Sequence, residues 1–87
     1  MEDFKSEILD KICYTDLVYE RIKKKLNIQL TKDEIETMIQ EIIEETELAK
    51  FQKTGKNIYI TNNYRNIRLT INSFTNRLIT ADRLKEK

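Results

Sequence analysis

The sequence predicts an α+β fold that is winged-helix-like, with three N-terminal helices followed by a small antiparallel sheet of three to four strands. Apolar residues recur at helical spacing up to position 47, and from position 48 they alternate with polar residues. Helix, helix, short turn, helix and hairpin is also the order of elements in a winged helix. We therefore expect a single domain over 1–87, with a helical part at 1–47, a β part at 48–82 and a tail at 83–87.

Capping residues separate the three predicted helices. Thr15 is a good N-cap for the second helix, because its hydroxyl can accept a hydrogen bond from a backbone N–H of the first turn. Thr31 and Glu34 have the spacing of a capping box at the start of the third helix. The three helices are therefore predicted over residues 3–13, 15–27 and 31–46.

The β part is predicted from its turns and from one clear alternation. Gly55, the only glycine, lies between two strand-like segments and predicts a hairpin. Ile67, Leu69 and Ile71 then alternate with polar residues, as in a half-buried strand. The predicted strands are 48–53, 57–61 and 67–72, with further apolar content over 78–80 and a frayed tail at 83–87.

Composition excludes several classes of protein. The chain has no histidine and one glycine, which excludes Cys/His metal sites, histidine-dependent nucleophile pairs and glycine-rich phosphate loops. We therefore expect no enzyme activity, no cofactor and no metal. The single cysteine, Cys13, is expected to be a small buried residue and indicates a reducing compartment. No apolar run has membrane-spanning length, so the expected location is the cytoplasm.

Charge is divided unevenly along the chain. Residues 1–49 hold seven Lys/Arg and thirteen Asp/Glu, a net charge of −6. Residues 50–87 hold nine Lys/Arg and two Asp/Glu, a net charge of +7. This division indicates either two faces of different purpose or a self-complementary surface.

The outward side of the third helix is predicted to be acidic. In a helix-turn-helix fold this helix normally enters the DNA major groove, but carboxylates repel phosphates, so we do not expect it to do so here. A solvated acidic surface is the plain interpretation. The alternative is a surface for a protein partner, carried by Glu36, Gln40, Glu41, Glu44 and Glu45.

The β part carries side chains that suit nucleic acid. Lys and Arg neutralise phosphates, Asn bonds base edges or phosphate oxygens, and Tyr stacks on an unpaired base. The competing interpretations are turn geometry for Asn, edge protection for Lys and Arg, and core packing for Tyr59 and Phe74. The predicted nucleic-acid contacts are Lys53, Lys56, Arg65, Arg68 and Arg77, supported by Tyr59, Asn72, Lys23, Lys24 and Lys25.

Three segments carry a resemblance to a known family. They are CYTDLVYERIKKKL at 13–26, GKNIYITN at 55–62 and TINSFTNRLITADR at 70–83. Together they resemble a family of small uncharacterised bacterial proteins with a C-terminal TINSxTxRxITxD-type motif. The resemblance implies one compact domain and supplies no activity. The high content of Ile, Lys and Asn is also similar to that of proteins from AT-rich bacterial genomes or their phages.

The segment at 70–83 has two interpretations. Its polar residues either form a network that fixes the segment on the domain, or they form a recognition face centred on Arg68, Asn72 and Arg77. Asp82 is the one acid nearby and is the expected partner of Arg77.

Three hypotheses follow for function. The first is a cytoplasmic, homodimeric protein that binds nucleic acid, DNA or RNA, through its basic hairpins. The second is a protein-interaction module, or an inhibitor of the kind that phages and mobile elements encode, acting through the acidic third helix. The third is head-to-tail self-association, in which the acidic helix of one copy contacts the basic sheet of the next.

Overall fold

The structure is a computed structural model that describes residues 4–84, with Phe4 described by its backbone alone. Three helices precede a four-stranded antiparallel sheet, so the predicted α+β fold is confirmed. The predicted helix start at Asp3 lies outside the described residues. The elements are α1 (Phe4–Lys11), α2 (Asp16–Leu26), α3 (Lys32–Glu45), a 3-10 turn (Leu48–Lys50), β1 (Phe51–Thr54), β2 (Asn57–Asn62), β3 (Ile67–Asn72) and β4 (Leu78–Arg83).

The helix ends agree with the capping residues of the sequence. The Thr31 hydroxyl accepts a hydrogen bond from the backbone N–H of Glu34 at 3.2 Å, and the Glu34 carboxylate accepts one from the backbone N–H of Thr31 at 2.9 Å. This is the predicted capping box. Thr15 lies at the N-cap of α2, as predicted, although its side chain makes no capping hydrogen bond.

The sheet is a meander in which each strand is antiparallel to the next, in the order β1-β2-β3-β4. Successive residues of a strand point to opposite faces of a sheet. On β2, Ile58 and Ile60 are buried, whereas Tyr59 and Thr61 are only half-buried. One face of the sheet therefore belongs to the core, and the other carries polar side chains.

The buried face of the sheet and the helices share one core. Among the described residues, isoleucine accounts for ten of the sixteen buried hydrophobic side chains, including Ile35, Ile39, Ile42 and Ile43 of α3. β-branched side chains have few rotamers, so a core of this composition holds the helices firmly against the sheet. All three helices contribute to this core. On the polar face of the sheet Arg68 is exposed, its neighbours on β2 and β3 are half-buried, and Thr70 is buried at 7% exposure.

Helix α2 lies along β4 and covers that edge of the sheet. The Lys25 ammonium bonds the Asp82 carboxylate at 2.8 Å, and the Arg83 guanidinium donates to the backbone carbonyl of Leu26 at 2.6 Å. The expected pairing of Asp82 with Arg77 is therefore wrong, because α2 brings Lys25 to this carboxylate.

The predicted strand at 48–53 begins late. Leu48–Lys50 forms a 3-10 turn, in which the backbone N–H of Lys50 donates to the carbonyl of Glu47 at 2.9 Å. The strand starts only at Phe51. The first half of the predicted strand is thus a tight connection between α3 and the sheet.

The predicted tail begins too early. Arg83 is the last residue of β4, and the backbone N–H of Leu84 donates to the carbonyl of Asn66 at 2.9 Å. The chain is therefore tied to the sheet up to Leu84, and the remainder of the predicted tail, 85–87, lies outside the described residues.

Cys13 is exposed, so its predicted burial is wrong. The residue forms a parallel β-bridge with Arg77. Its N–H donates to the Asn76 carbonyl at 2.7 Å, and its carbonyl accepts from the Leu78 N–H at 2.9 Å. The backbone at Cys13 is thus used to extend the sheet, and the thiol is left at the surface.

Several turns depend on residues in the left-handed conformation. Gly55 has φ 61°, and three asparagines also have positive φ: Asn27 (56°), Asn66 (63°) and Asn76 (59°). Asparagine tolerates this region better than other residues with a side chain. Part of the asparagine content is therefore explained by turn geometry in a chain that has one glycine.

The Asn76 position allows a direct test of this explanation. We expect Asn76→Ala to lower the free energy of unfolding by about 1 kcal/mol, because alanine is strained at φ 59°. For a domain of this size the melting temperature would fall by roughly 4–8 °C. Asn76→Gly should melt within about 2 °C of the wild type, since glycine adopts positive φ without strain. Circular dichroism melts decide the matter, and equal melting of the alanine and glycine variants would contradict it.

Candidate nucleic-acid interface

Two turns lie side by side at one end of the sheet. The β1–β2 turn contains Lys56, and the β3–β4 turn contains Ser73. The backbone N–H and the hydroxyl of Ser73 both donate to the carbonyl of Lys56, at 2.7 and 3.1 Å. These bonds bring side chains from two hairpins onto one surface.

The β3–β4 turn is held by the Asn72 side chain. Its carbonyl oxygen accepts hydrogen bonds from the backbone N–H groups of Phe74 at 2.8 Å and Thr75 at 3.0 Å. The Asn72 oxygen predicted to contact nucleic acid is thus already used to shape the turn. Of the two interpretations of residues 70–83, the polar network that fixes the segment therefore fits the Asn72 side chain better than the recognition face does.

Unpaired cations occur at this end of the molecule. Lys53, Lys56 and Arg77 are exposed, and none of them forms an ion pair within residues 4–84. We call these three residues the basic end. Lys53 also lines a groove with Lys11, although Lys11 is paired with Glu7 at 3.4 Å. The three predicted contacts of the basic end are therefore available to an anion.

Phe74 lies in the same groove as Lys53 and is 75% exposed. The sequence interpretation of Phe74 as core is therefore wrong, and the residue was missed as a candidate contact. A signal was present, because Phe74 stands within the polar run from Asn72 to Asn76, where a turn is expected.

The polar face of the sheet runs along β2 and β3 and begins at Asn57 and Asn72, next to the two turns. Lys53 does not lie on this face, because its cross-strand partner Ile58 is buried in the core and paired residues share a face. The Arg68 guanidinium lies over the Tyr59 ring, 5.6 Å from its centroid, and Arg68 forms no ion pair within the described chain. The Asn57 amide donates to the Tyr59 hydroxyl at 3.2 Å. We call this surface the open face, which comprises Asn57, Tyr59, Thr61, Arg68 and Asn72 around the buried Thr70. Asp82 of β4 is the cross-strand neighbour of Arg68 on the same face.

Arg65 is separated from the other predicted contacts. Its guanidinium bonds the Glu45 carboxylate at 2.8 Å and the Glu41 carboxylate at 3.2 Å. Two carboxylates of α3 thus neutralise this charge at the opposite end of the sheet from the basic end. We therefore leave Arg65 out of the candidate interface.

A buried amide completes the cluster around Glu45. Asn62 is 4% exposed, and its amide nitrogen donates to Glu45 and to the Thr46 hydroxyl, each at 2.9 Å. Its oxygen accepts from the backbone N–H of Arg65 at 2.8 Å. Hydrogen bonds from Arg65 and then Asn62 hold the pKa of Glu45 below its usual range. This cluster attaches the β2–β3 turn to the end of α3.

The three lysines of α2 differ in whether an acidic side chain of the same chain neutralises them. Lys23 pairs with Glu20 at 3.4 Å, and Lys25 pairs with Asp82 at 2.8 Å. Lys24 is exposed and forms no ion pair within residues 4–84. Of the three predicted supporting lysines, one therefore remains unpaired.

The acidic surface of α3 is partly neutralised within the chain. Glu36 accepts a hydrogen bond from the Tyr19 hydroxyl, and Glu41 and Glu45 bind Arg65. Burial, followed by the bond to Glu36, raises the pKa of Tyr19 to about 12. Only Gln40 and Glu44 of the five predicted partner residues keep side chains without a described bond.

Residues 4–84 contain no group of three or more His, Cys, Asp or Glu side chains that could hold a metal ion. None of the described helices combines the length and the apolar character that crossing a bilayer requires.

Comparison with known proteins gives one match. A family profile described as "Protein of unknown function (DUF3781)" matches residues 6–82. No curated protein and no solved structure matches the chain significantly.

The Glu45 cluster predicts a pH dependence of stability. Because the pKa of Glu45 is lowered in the folded state, its bonds stabilise the fold above the usual glutamate range, and this stability is lost as the pH falls through the lowered pKa. We expect Glu45→Gln to cost about 1 kcal/mol at neutral pH, since the pair is partly exposed. The variant should also lose less stability than the wild type between about pH 7 and about pH 3.

Glu44→Gln is the matched control for this experiment. It makes the same chemical change on the next residue, whose side chain has no described partner. Urea titrations at both pH values should separate the two variants. Equal pH dependence in Glu45→Gln and the wild type would show that the cluster does not stabilise the fold.

Proposed function

We propose that this chain, which belongs to the DUF3781 family, binds nucleic acid through its basic end and open face. One observation carries the proposal. Lys53, Lys56, Arg68 and Arg77 are exposed and form no ion pair within residues 4–84, whereas Arg65 is neutralised by α3. Exposed cations that form no ion pair with the chain suit the phosphates of a nucleic acid.

The position of α3 supports the same surfaces. Its buried isoleucines face the core that the sheet shares, so exposed acids such as Glu41 and Glu44 point away from the sheet. Glu45, at the end of α3, lines a groove with Thr61, but Arg65 neutralises its carboxylate. This arrangement agrees with the expectation that α3 does not read the major groove.

The winged-helix-like arrangement is part of the proposal. The order of the helices and the position of the β1–β2 hairpin after α3 support it. In this interpretation the hairpin that carries Lys53 and Lys56 acts as the wing and contacts the backbone. Strands β3 and β4 then enlarge the sheet beyond a simple wing.

We propose a non-enzymatic protein of bacterial or phage origin that acts in the cytoplasm. A homodimer is also proposed, because a chain of 87 residues buries a limited share of its surface and gains stability by association.

A second candidate function is capture of a basic protein. Gln40 and Glu44 are exposed on α3, and a groove beside them has Leu30 and Met38 in its lining. Acidic and apolar groups together suit a basic amphipathic segment. Gln40→Lys with Glu44→Lys should abolish capture of such a partner and leave nucleic-acid binding intact.

Salt dependence tests the nucleic-acid proposal. Four phosphate contacts predict a slope of log affinity against log salt of about −3.6 on duplex DNA and about −2.8 on a single strand. Removing one contact with Lys53→Gln or Lys56→Gln should weaken binding and reduce the slope by about 1. Fluorescence anisotropy with a labelled oligonucleotide measures both quantities.

Lys50→Gln is the control, because it removes one positive charge outside the proposed interface. Lys50 precedes β1 at the opposite end of the sheet, where it lines a groove with Glu45 and Glu47. We expect its removal to leave the affinity nearly unchanged. Absence of binding at about 50 mM salt would refute the proposal, as would an equal loss of affinity in Lys50→Gln and Lys53→Gln.

A further inference from the structure

The exposed ring of Phe74, beside the basic end, bears on whether a single strand or a duplex would bind there. Phe74 is 75% exposed, although it is a large apolar side chain. Its backbone N–H is bonded by Asn72, and the turn around it is bonded to Lys56 and Cys13. The ring is thus presented from a turn that several hydrogen bonds hold in place, which lowers the entropy cost of using it for binding.

A cation lies in the same groove as this ring. The groove of Phe74 is lined by the unpaired Lys53 and by the pair of Lys11 and Glu7, whereas Arg77 lines a separate groove with Arg21. A ring next to an unpaired ammonium group can receive a base while an adjoining phosphate is neutralised. This pairing of stacking surface and cation is how proteins hold unpaired strands.

The open face offers a second planar surface. Arg68 is exposed, and its guanidinium lies 5.6 Å from the centroid of the Tyr59 ring on this face. Bases stack on guanidinium planes as well as on aromatic rings. Phe74 and Arg68 thus provide stacking positions at the basic end and on the open face.

Duplex nucleic acid cannot use these positions without distortion. Its bases are stacked on each other, and opening a step to admit a side chain costs free energy. A single strand has its base faces available. We infer that the basic end and the open face select single-stranded nucleic acid, with Phe74 as the stacking residue, an inference that rests on the proposed nucleic-acid function.

The first experiment compares oligonucleotides with the full chain. Anisotropy is measured with oligo-dT, oligo-rU and a duplex of the same length. We expect both single strands to bind at least about tenfold more tightly than the duplex at equal salt. Preference for dT or rU would identify the DNA or RNA source of the strand.

The second experiment uses tryptophan as a reporter, since the chain has none. Phe74→Trp should lose much of its emission when a single strand is added, because a stacked base quenches the indole. Tyr64→Trp is the matched control, because Tyr64 is 91% exposed in the β2–β3 turn at the opposite end of the sheet. Its emission should remain constant.

Alanine variants give the energetic readout. Phe74→Ala should weaken single-strand binding by about 5- to 100-fold and alter duplex binding by less than about twofold, whereas Tyr64→Ala should alter neither. If Phe74→Ala has a clearly lower melting temperature than the wild type, Phe74→Leu is measured in its place. Equal affinity for duplex and single strand with unchanged Phe74→Trp emission overturns this inference and leaves the proposed function standing. Binding to none of the oligonucleotides overturns both.

Discussion

Burial of one face of the sheet is the constraint on which the rest of the structure depends. A meander of four strands with an apolar face is stable in water only when that face is covered, and here the helices cover it with a core rich in isoleucine. All the helices are used for this purpose. The polar face and the strand ends are therefore what the β part offers to a partner, and the turns decide which side chains stand there.

The Asn62 cluster determines where the two oppositely charged parts of the chain meet. Arg65 and Asn62 come from the basic part, whereas Glu41 and Glu45 come from the acidic helix. A buried amide that is fully bonded is costly to break, so the contact is fixed at the end of α3. Fixing it there keeps the carboxylates of α3 away from the basic end.

Local patterns predicted the elements, because capping, periodicity and alternation act over a few residues. The capping box at Thr31 and the strand at 67–72 were predicted for this reason. The site was less predictable, because Arg65 and Arg68 look alike in the sequence and differ only in what the fold places beside them. The exposure of Cys13 and Phe74 likewise depends on a bridge and a turn that join distant segments.

The separation of charge affects binding only if the acidic surface of α3 and the basic end act independently on a ligand. The dimensions of the domain indicate that they do. Its smallest extent is 22 Å. The screening length at physiological salt is about 8 Å, so the carboxylates of α3 have little effect on an anion held across the core. The near-neutral net charge of +1 is therefore a poor guide to the behaviour of this chain, because a phosphate at Lys56 experiences the local cations and hardly any of the acids that cancel them in the sum.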